Sequence, residues 1–185
     1  MESVGMKPVL VHGGGPAIDR QLRERGIQTE RVQGLRVTSR EAMKVVEQTL
    51  FGEVNAGLVD QINQLGGEAV GVSAKDADIM HVRKHVAQTD AGPVDLGYVG
   101  DVERIESNPL VDLINKGLLP VVAPIGRGPD GASFNVNADT AAGEIAAAKA
   151  LLADLERHTN LENTFGSAYA TAAAPARLHL ETGDW

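Results

Sequence analysis

The 185-residue sequence contains no cysteine. That excludes disulfides, thiol nucleophiles and thiolate metal sites, and it suits a reducing compartment. Aromatic residues make up only 3% of the chain, as one Trp, two Tyr and three Phe, so the core must be aliphatic. Positive charge is not in excess either. Seventeen Lys and Arg stand against 25 Asp and Glu, for a net charge of −8 and a pI near 5.1, a balance that argues against nucleic acid as a partner. It leaves room for a small anionic ligand, because backbone dipoles bind anions locally even on an acidic protein. No apolar run approaches the ~20 residues of a membrane-spanning helix, and the N-terminal residues show no signal-peptide pattern. A cytoplasmic protein with no membrane partner is expected.

Several chemical signatures are also missing. The glycines at 13 and 15 begin a dinucleotide-binding G-x-G-x-x-G, but Ile18 stands at the third position. There is no Walker P-loop. His12-Gly13-Gly14-Gly15 resembles the oxyanion stretch of some esterases, but that chemistry needs a G-x-S-x-G elbow. The nearest candidate, Gly71-Val72-Ser73-Ala74-Lys75, lacks the last glycine. Among the five histidines only His81 and His85 have a metal-like spacing, and they read as solvated surface residues; no metal site is expected.

What is present centres on Val9 to Ile18. An apolar strand, Pro8 to Val11, runs into three consecutive glycines and then a helix, Ala17 to Arg25, closed by Gly26. Glycines at that junction let the backbone come close to a ligand, and the following helix offers free N–H groups and a positive dipole end to an anion. Two readings stay open at this point: an anion or phosphoryl site, and a ligand-free turn. Further on, Gln28 to Thr38 predicts a hairpin about Gln33-Gly34. Thr38-Ser39-Arg40-Glu41 reads as a capping box. It opens a long helix whose stripe runs through Val46, Leu50, Val54, Leu58, Ile62 and Leu65 up to Gly66-Gly67.

Glu68 to Ser73 predicts a second central strand. Ile79 to Val82 and Tyr98 to Ile105 predict outlying strands around a mobile loop at Gln88 to Pro93. Pro109 opens a helix that Gly117 closes, and Leu118 to Ile125 predicts a strand buried on both faces. Phe134 to Asp139 leads into an alanine-rich helix expected to reach about Arg157. The alternation predicts an α/β fold: one mainly parallel open sheet with helices on both faces, its ligands beyond the carboxyl ends of the strands.

Three segments then carry a resemblance. Val11-His12-Gly13-Gly14-Gly15, Gly34-Leu35-Arg36-Val37-Thr38 and Phe134-Asn135-Val136-Asn137-Ala138-Asp139 occur in this order, with Ala141 and Gly143-Glu144-Ile145-Ala146 behind them. Together they resemble the acetylglutamate kinases of the amino acid kinase family, over roughly Ser3 to Ala150. The resemblance implies transfer of the γ-phosphoryl of ATP, with magnesium, to the side-chain carboxylate of N-acetyl-L-glutamate, a step of arginine biosynthesis. It implies that Gly14 and Gly15 contact the substrate through N–H groups and that Arg36, at the hairpin tip, holds the α-carboxylate. Asn135 would hydrogen-bond the acetylated amino acid, Asp139 would orient catalytic lysines, and Gly13 would lie toward the nucleotide phosphates. The 41–65 helix would pair two copies in a homodimer.

Without the resemblance, Arg36 reads as a solvent-exposed hairpin charge, Asn135 as a turn residue and Asp139 as a helix N-cap. The family's Lys-x-Gly-Gly strand and its nucleotide half, with a second lysine, have no counterpart among the 185 residues. The expectation is therefore a chain truncated at both ends. Residues 1–150 would form the N-acetylglutamate-binding half without its first strand, and 151–185 an unrelated tail. Such a half-site would bind substrate with negligible turnover. The alternative is a non-catalytic module that binds an acylated amino acid or pairs with a kinase.

Overall fold

A computed structural model describes residues 7–150; the tail 151–185 and the predicted helix extension to Arg157 lie outside the described residues. One compact unit ends at Ile145. Its elements are β1 (Leu10–Val11), α1 (Gly15–Glu24), β2 (Arg31–Val32), β3 (Leu35–Arg36), α2 (Arg40–Glu47), a π-helical segment (Gln48–Asn55), α3 (Ala56–Gln64), β4 (Ala69–Ser73), β5 (Met80–Thr89), β6 (Gly92–Ile105), α4 (Asn108–Asn115), β7 (Leu119–Ala123), β8 (Ile125–Arg127) and β9 (Ser133–Asn135). A last helix, α5, starts at residue 138.

The parallel sheet has the order β1-β7-β4. Leu10 lies beside Val121, and Ala69 to Ser73 run beside Leu119 to Ala123. β7 is therefore the central strand, and β4, expected to be central, ends the described order. Val121, Val122 and Ala123 are wholly buried, and successive residues of a strand point to opposite faces. Val122 packs with Leu110 of α4 and with Ala141 and Ile145 of α5. Ala123 packs with Ile18 and Leu22 of α1 and Ala42 and Val46 of α2. Helices thus cover both faces, and each fully buried Leu or Val contributes about 1.5–3 kcal/mol of apolar burial.

Three further expectations change. The apolar run Leu118 to Ile125 is not one strand. Pro124 has no N–H to continue the ladder, so β7 ends at Ala123 and Ile125 opens β8 in another sheet. The predicted outlying strands and mobile loop are one long antiparallel hairpin, β5–β6. Its turn is closed by Gly92 at φ +107 and by the Thr89 hydroxyl donating to the Gly92 carbonyl at 2.8 Å. The basic run Arg83-Lys84-His85 hides this strand from a hydrophobicity reading. These two strands, with β9 and β8, close a small barrel. The β2–β3 hairpin lies on it: Val32, Leu35 and Val37 pack against Ala87, Leu96 and Val99.

The long helix is the third change. Ser39, not Thr38, caps it, accepting from Ala42 N–H at 3.1 Å. Thr38 is buried, and its hydroxyl donates to the Arg36 carbonyl at 2.8 Å. The stripe begins as expected, with Val46 and Leu50 buried. At constant α-helical geometry of ~100° per residue, Asn55, nine residues beyond Val46, would face away from the core. The wider π turns bring it round instead. Asn55 is 1% exposed, while Leu65, at the end of the predicted stripe, is 89% exposed.

Candidate functional site

The glycine loop leaves β1 at Val11 and enters α1 with Gly14 as N-cap, at φ −166 and ψ 25. This is extended backbone open to any residue, so the demand for glycine here is spatial. A Cβ on Gly14 would lie 2.7 Å from Cδ2 of Leu50 in the π segment. Among the described residues no side chain caps the first N–H groups of α1, and no carboxylate of its first turn meets its positive dipole end.

The hairpin turns on Gln33 at φ 50 and Gly34 at φ 83, both positive as a two-residue type I′ turn requires. Its register pairs Arg31 with Arg36. Arg36 is thus not at the tip, as expected, nor a solvent-exposed charge. It sits at the inner end of β3, 6% exposed. Its Nη1 donates to the Thr29 hydroxyl at 3.0 Å, and its Nη2 lies 2.5 Å from Oδ1 of Asp19. The other Asp19 oxygen is 3.3 Å from Arg31 Nη2. Two like charges opposed across a hairpin repel, and Asp19 bridges them. Burial alone would raise the Asp19 carboxyl, but the Arg36 and Arg31 guanidiniums outweigh it and hold it below its usual value.

Asn135 ends β9, half-buried, paired in register with Ile125 and Val99. Asp139 is exposed in the first turn of α5, and it is not the N-cap. That role falls to Asn137, whose Oδ1 accepts from the N–H groups of Asp139 at 2.9 Å and Thr140 at 3.0 Å. The loop glycines Gly13, Gly14 and Gly15, with Arg36, Asn135 and Asp139, line one cavity of about 200 Å3. Arg31 lines it as well. Sequence reasoning passed over Arg31 and Asp19. The two-residue turn could have revealed Arg31, since it sets that residue opposite Arg36. Asp19, four residues beyond Gly15, falls on the loop-facing side of α1.

A second polar cluster ties β9 to α2. Lys75 Nζ reaches Glu47 at 3.1 Å and the Ser133 hydroxyl at 3.0 Å, and that hydroxyl donates to Glu47 at 2.8 Å. Burial lowers the Lys75 pKa, but Glu47 and Asp76 outweigh it and the net shift is upward. Lys75 donates to both Glu47 and Ser133 while Ser133 donates to Glu47, so the three side chains form a closed polar tie. His81 and His85, expected on the solvated surface, are half-buried on β5. His81 lies 3.5 Å from Asp78, and His85 Nδ1 lies 2.6 Å from Asp101. Among the described residues no group of three His, Asp or Glu could hold a metal ion.

Comparison with known proteins follows the same lines. The model of the amino acid kinase family matches residues 1–155. The acetylglutamate kinase of Moorella thermoacetica is 48% identical over 152 residues, covering 80% of this chain and 51% of that protein. That of Thermoanaerobacter sp. strain X514 is 45% identical over 182 residues, 98% of this chain and 58% of the relative. That of Geotalea uraniireducens is 44% identical, over 96% of this chain and 64% of the relative. The chain therefore spans between half and two thirds of the length of these relatives.

Among solved structures, smu.665 from Streptococcus mutans UA159 superposes with a TM-score of 0.72 at 28% identity, over 80% of this chain and 58% of that one. N-acetylglutamate synthase from Neisseria gonorrhoeae, complexed with coenzyme A and L-arginine, shares the fold at a TM-score of 0.60 and 21% identity, over 79% of this chain and 34% of that one. With the family model matched across all of the described residues, this chain belongs to the amino acid kinase family.

Proposed function

We propose that the cavity is the amino-acid side of a carboxylate kinase and takes N-acetyl-L-glutamate. The observation that carries this reading is the convergence of the glycine loop, Arg36 and Asn135 on one small cavity. Relatives at 44–48% identity named acetylglutamate kinase support it. Arg36 holds the α-carboxylate through its guanidinium fork. Asn135, whose amide has no side-chain partner among the described residues, meets the acetamido group. The N–H groups of Gly14 and Gly15 face the side-chain carboxylate.

The reaction is phosphoryl transfer. A carboxylate oxygen of the substrate forms a bond to the γ-phosphorus of ATP as the bond to ADP breaks, giving an acyl phosphate. Protein contributions to such a step are positioning and the matching of negative charge by N–H groups and cations. The loop and helix end supply the first kind of donor. Asp139, which lines the same cavity, would orient cations around the phosphoryl. Among the described residues no three His, Asp or Glu side chains cluster to cage a metal ion, so a magnesium ion here would rest mainly on the nucleotide phosphates. No Lys-x-Gly-Gly occurs in the 185 residues, so this chain binds the amino acid without robust turnover. The helix Arg40–Gln64 pairs two copies: α3 has no buried residue, and Phe51 and Leu65 are exposed. No helix of the described residues is long and apolar enough to cross a membrane.

Calorimetry on the purified 185-residue chain tests this reading. N-acetyl-L-glutamate should bind, L-glutamate more weakly, and Arg36→Ala should abolish both signals. A hydroxamate assay with MgATP should remain at background. Failure of N-acetyl-L-glutamate to bind the folded chain overturns the site, and robust acyl-phosphate formation overturns the absence of turnover.

A further inference from the structure

His12 lies between β1 and the glycines, 8% exposed, and both of its ring nitrogens are engaged. Nδ1 is 3.0 Å from the Gly13 carbonyl oxygen. Nε2 is 3.0 Å from the amide nitrogen of Asn55, which also donates to the Val121 carbonyl at 2.8 Å. The Val121 contact fixes which way the Asn55 amide points, because a flipped amide would set oxygen against oxygen. An amide nitrogen only donates, so Nε2 must accept. One proton arrangement satisfies all three contacts: a neutral imidazole with its hydrogen on Nδ1, donated to Gly13. Burial, which disfavours the imidazolium, acts in the same direction, against a smaller opposing effect of the Gly13 contact.

Two features outside the loop exist to let Asn55 reach. The π segment turns it inward. Gly71 of β4 leaves the space that the Asn55 side-chain oxygen occupies, where any Cβ would overlap it. The effect passes on through the peptide plane. In a trans peptide the Gly13 C=O and the Gly14 N–H point in opposite directions. Holding the carbonyl toward His12 therefore turns the Gly14 N–H away from it.

We propose that His12 and Asn55 are positioning residues: Asn55 selects the Nδ1–H tautomer of His12, and His12 sets the Gly13–Gly14 peptide so that the Gly14 N–H is presented to a carboxylate in the cavity. The ligand part of this inference rests on the reading of the cavity given under Proposed function; the tautomer and the peptide orientation do not. Neither side chain lines the cavity, so both act through the loop.

Asn55→Asp is the informative variant. It keeps the shape and replaces the donor facing Nε2 with an acceptor. Nitrogen-15 NMR of the full 185-residue chain should show His12 as the Nδ1–H tautomer in the wild type. In Asn55→Asp the proton should move to Nε2 and the Gly14 amide resonance should shift with it; affinity for N-acetyl-L-glutamate should then fall about 10- to 100-fold, the range for one lost hydrogen bond to a charged group. A ring that instead becomes imidazolium keeps its Nδ1–H on the Gly13 carbonyl, and Gly14 should then stay in place. A wild-type His12 found as the Nε2–H tautomer or as imidazolium at neutral pH overturns the proposal, and needs no variant to fold. So does an Asn55→Asp protein with the Nε2–H tautomer and an unmoved Gly14 resonance, or with an imidazolium and a shifted one. If the wild type shows the Nδ1–H tautomer and the coupled Gly14 shift but binds no N-acetyl-L-glutamate, the substrate assignment fails and the positioning relay stands.

Discussion

Replacing Gly97 with alanine should be among the most damaging single-methyl changes in this protein. Gly97 sits in β6 at φ +74, opposite Thr38, with which it forms an isolated parallel bridge. A Cβ there would overlap the Thr38 carbonyl oxygen and lie 3.0 Å from its carbon. These are backbone atoms that cannot rotate aside. They are also committed, since Thr38 N–H donates to Leu96 at 2.8 Å and the Thr38 carbonyl accepts from Tyr98 at 2.7 Å. The left-handed conformation costs a non-glycine residue roughly 1–2 kcal/mol, and forcing atoms into packed space about 1–3 kcal/mol more. Together that is about 2–5 kcal/mol, against a total stability on the order of 5–15 kcal/mol for a domain. At about 2–4 °C per kcal/mol for a chain of this length, Tm should fall by roughly 4–20 °C.

Gly92→Ala is the internal control. Its φ is +107, but no atom lies within 4 Å of the added Cβ, so only the conformational cost remains. Urea unfolding followed by far-UV circular dichroism measures both. The two bonds at Thr38 fasten the Arg36 hairpin to the barrel, so Gly97→Ala should also weaken N-acetyl-L-glutamate binding, and Gly92→Ala should not. A Gly97→Ala protein no less stable than Gly92→Ala would refute the reasoning.

Other expectations follow from the same geometry. Asp19 has a lowered carboxyl pKa, so its stabilising effect is present above its unfolded value and is lost as pH falls through the lower folded value. Asp19→Asn should therefore flatten the acid limb of a Tm-against-pH curve below about pH 4, and an unaltered limb would count against the bridge. Arg36→Lys keeps the charge but loses the fork; calorimetry should show N-acetyl-L-glutamate binding weakened about 10-fold or more, and undiminished affinity would remove Arg36 from the site. Leu50→Ala should cost about 2–5 kcal/mol in urea unfolding. Because it removes the atom that a Gly14 Cβ would meet, Gly14→Ala should be better tolerated in that background than alone, and strict additivity in the double-mutant cycle would argue against the contact.

Much of this was readable in the sequence where one local signal dominates. The glycine-bounded helices, the Gln33-Gly34 turn and the apolar stretch ending in β7 each announce themselves through a few residues. So does the order of the three site segments, which the fold brings to one cavity. What escaped depends on more than one segment. Pro124 divides two sheets, a division visible only when the partner strands are known. The charged β5 strand is paired along its length with β6, and its alternation is blurred by two register shifts. The inward turn of Asn55 comes from a π segment that no side-chain pattern marks. Arg36 looked like an exposed hairpin charge because its counter-ion, Asp19, comes from α1 and is brought near only by the fold.

That counter-ion changes what binding means at this cavity. Both terminal nitrogens of Arg36 already have partners, in Asp19 and Thr29. On the reading proposed above, a carboxylate arriving there would meet a guanidinium that the protein's own anion already pairs. Asp19 stays beside it, held by Arg31 as well, so an incoming anion adds its charge next to a resident one, and attraction alone would give a monoanion such as chloride or acetate little advantage. A ligand that also reached Asn135 and the glycine loop, which line the same cavity, would gain contacts that a simple anion cannot make. Asp19 would then act as a threshold, turning a general affinity for negative charge into a requirement for several groups at once.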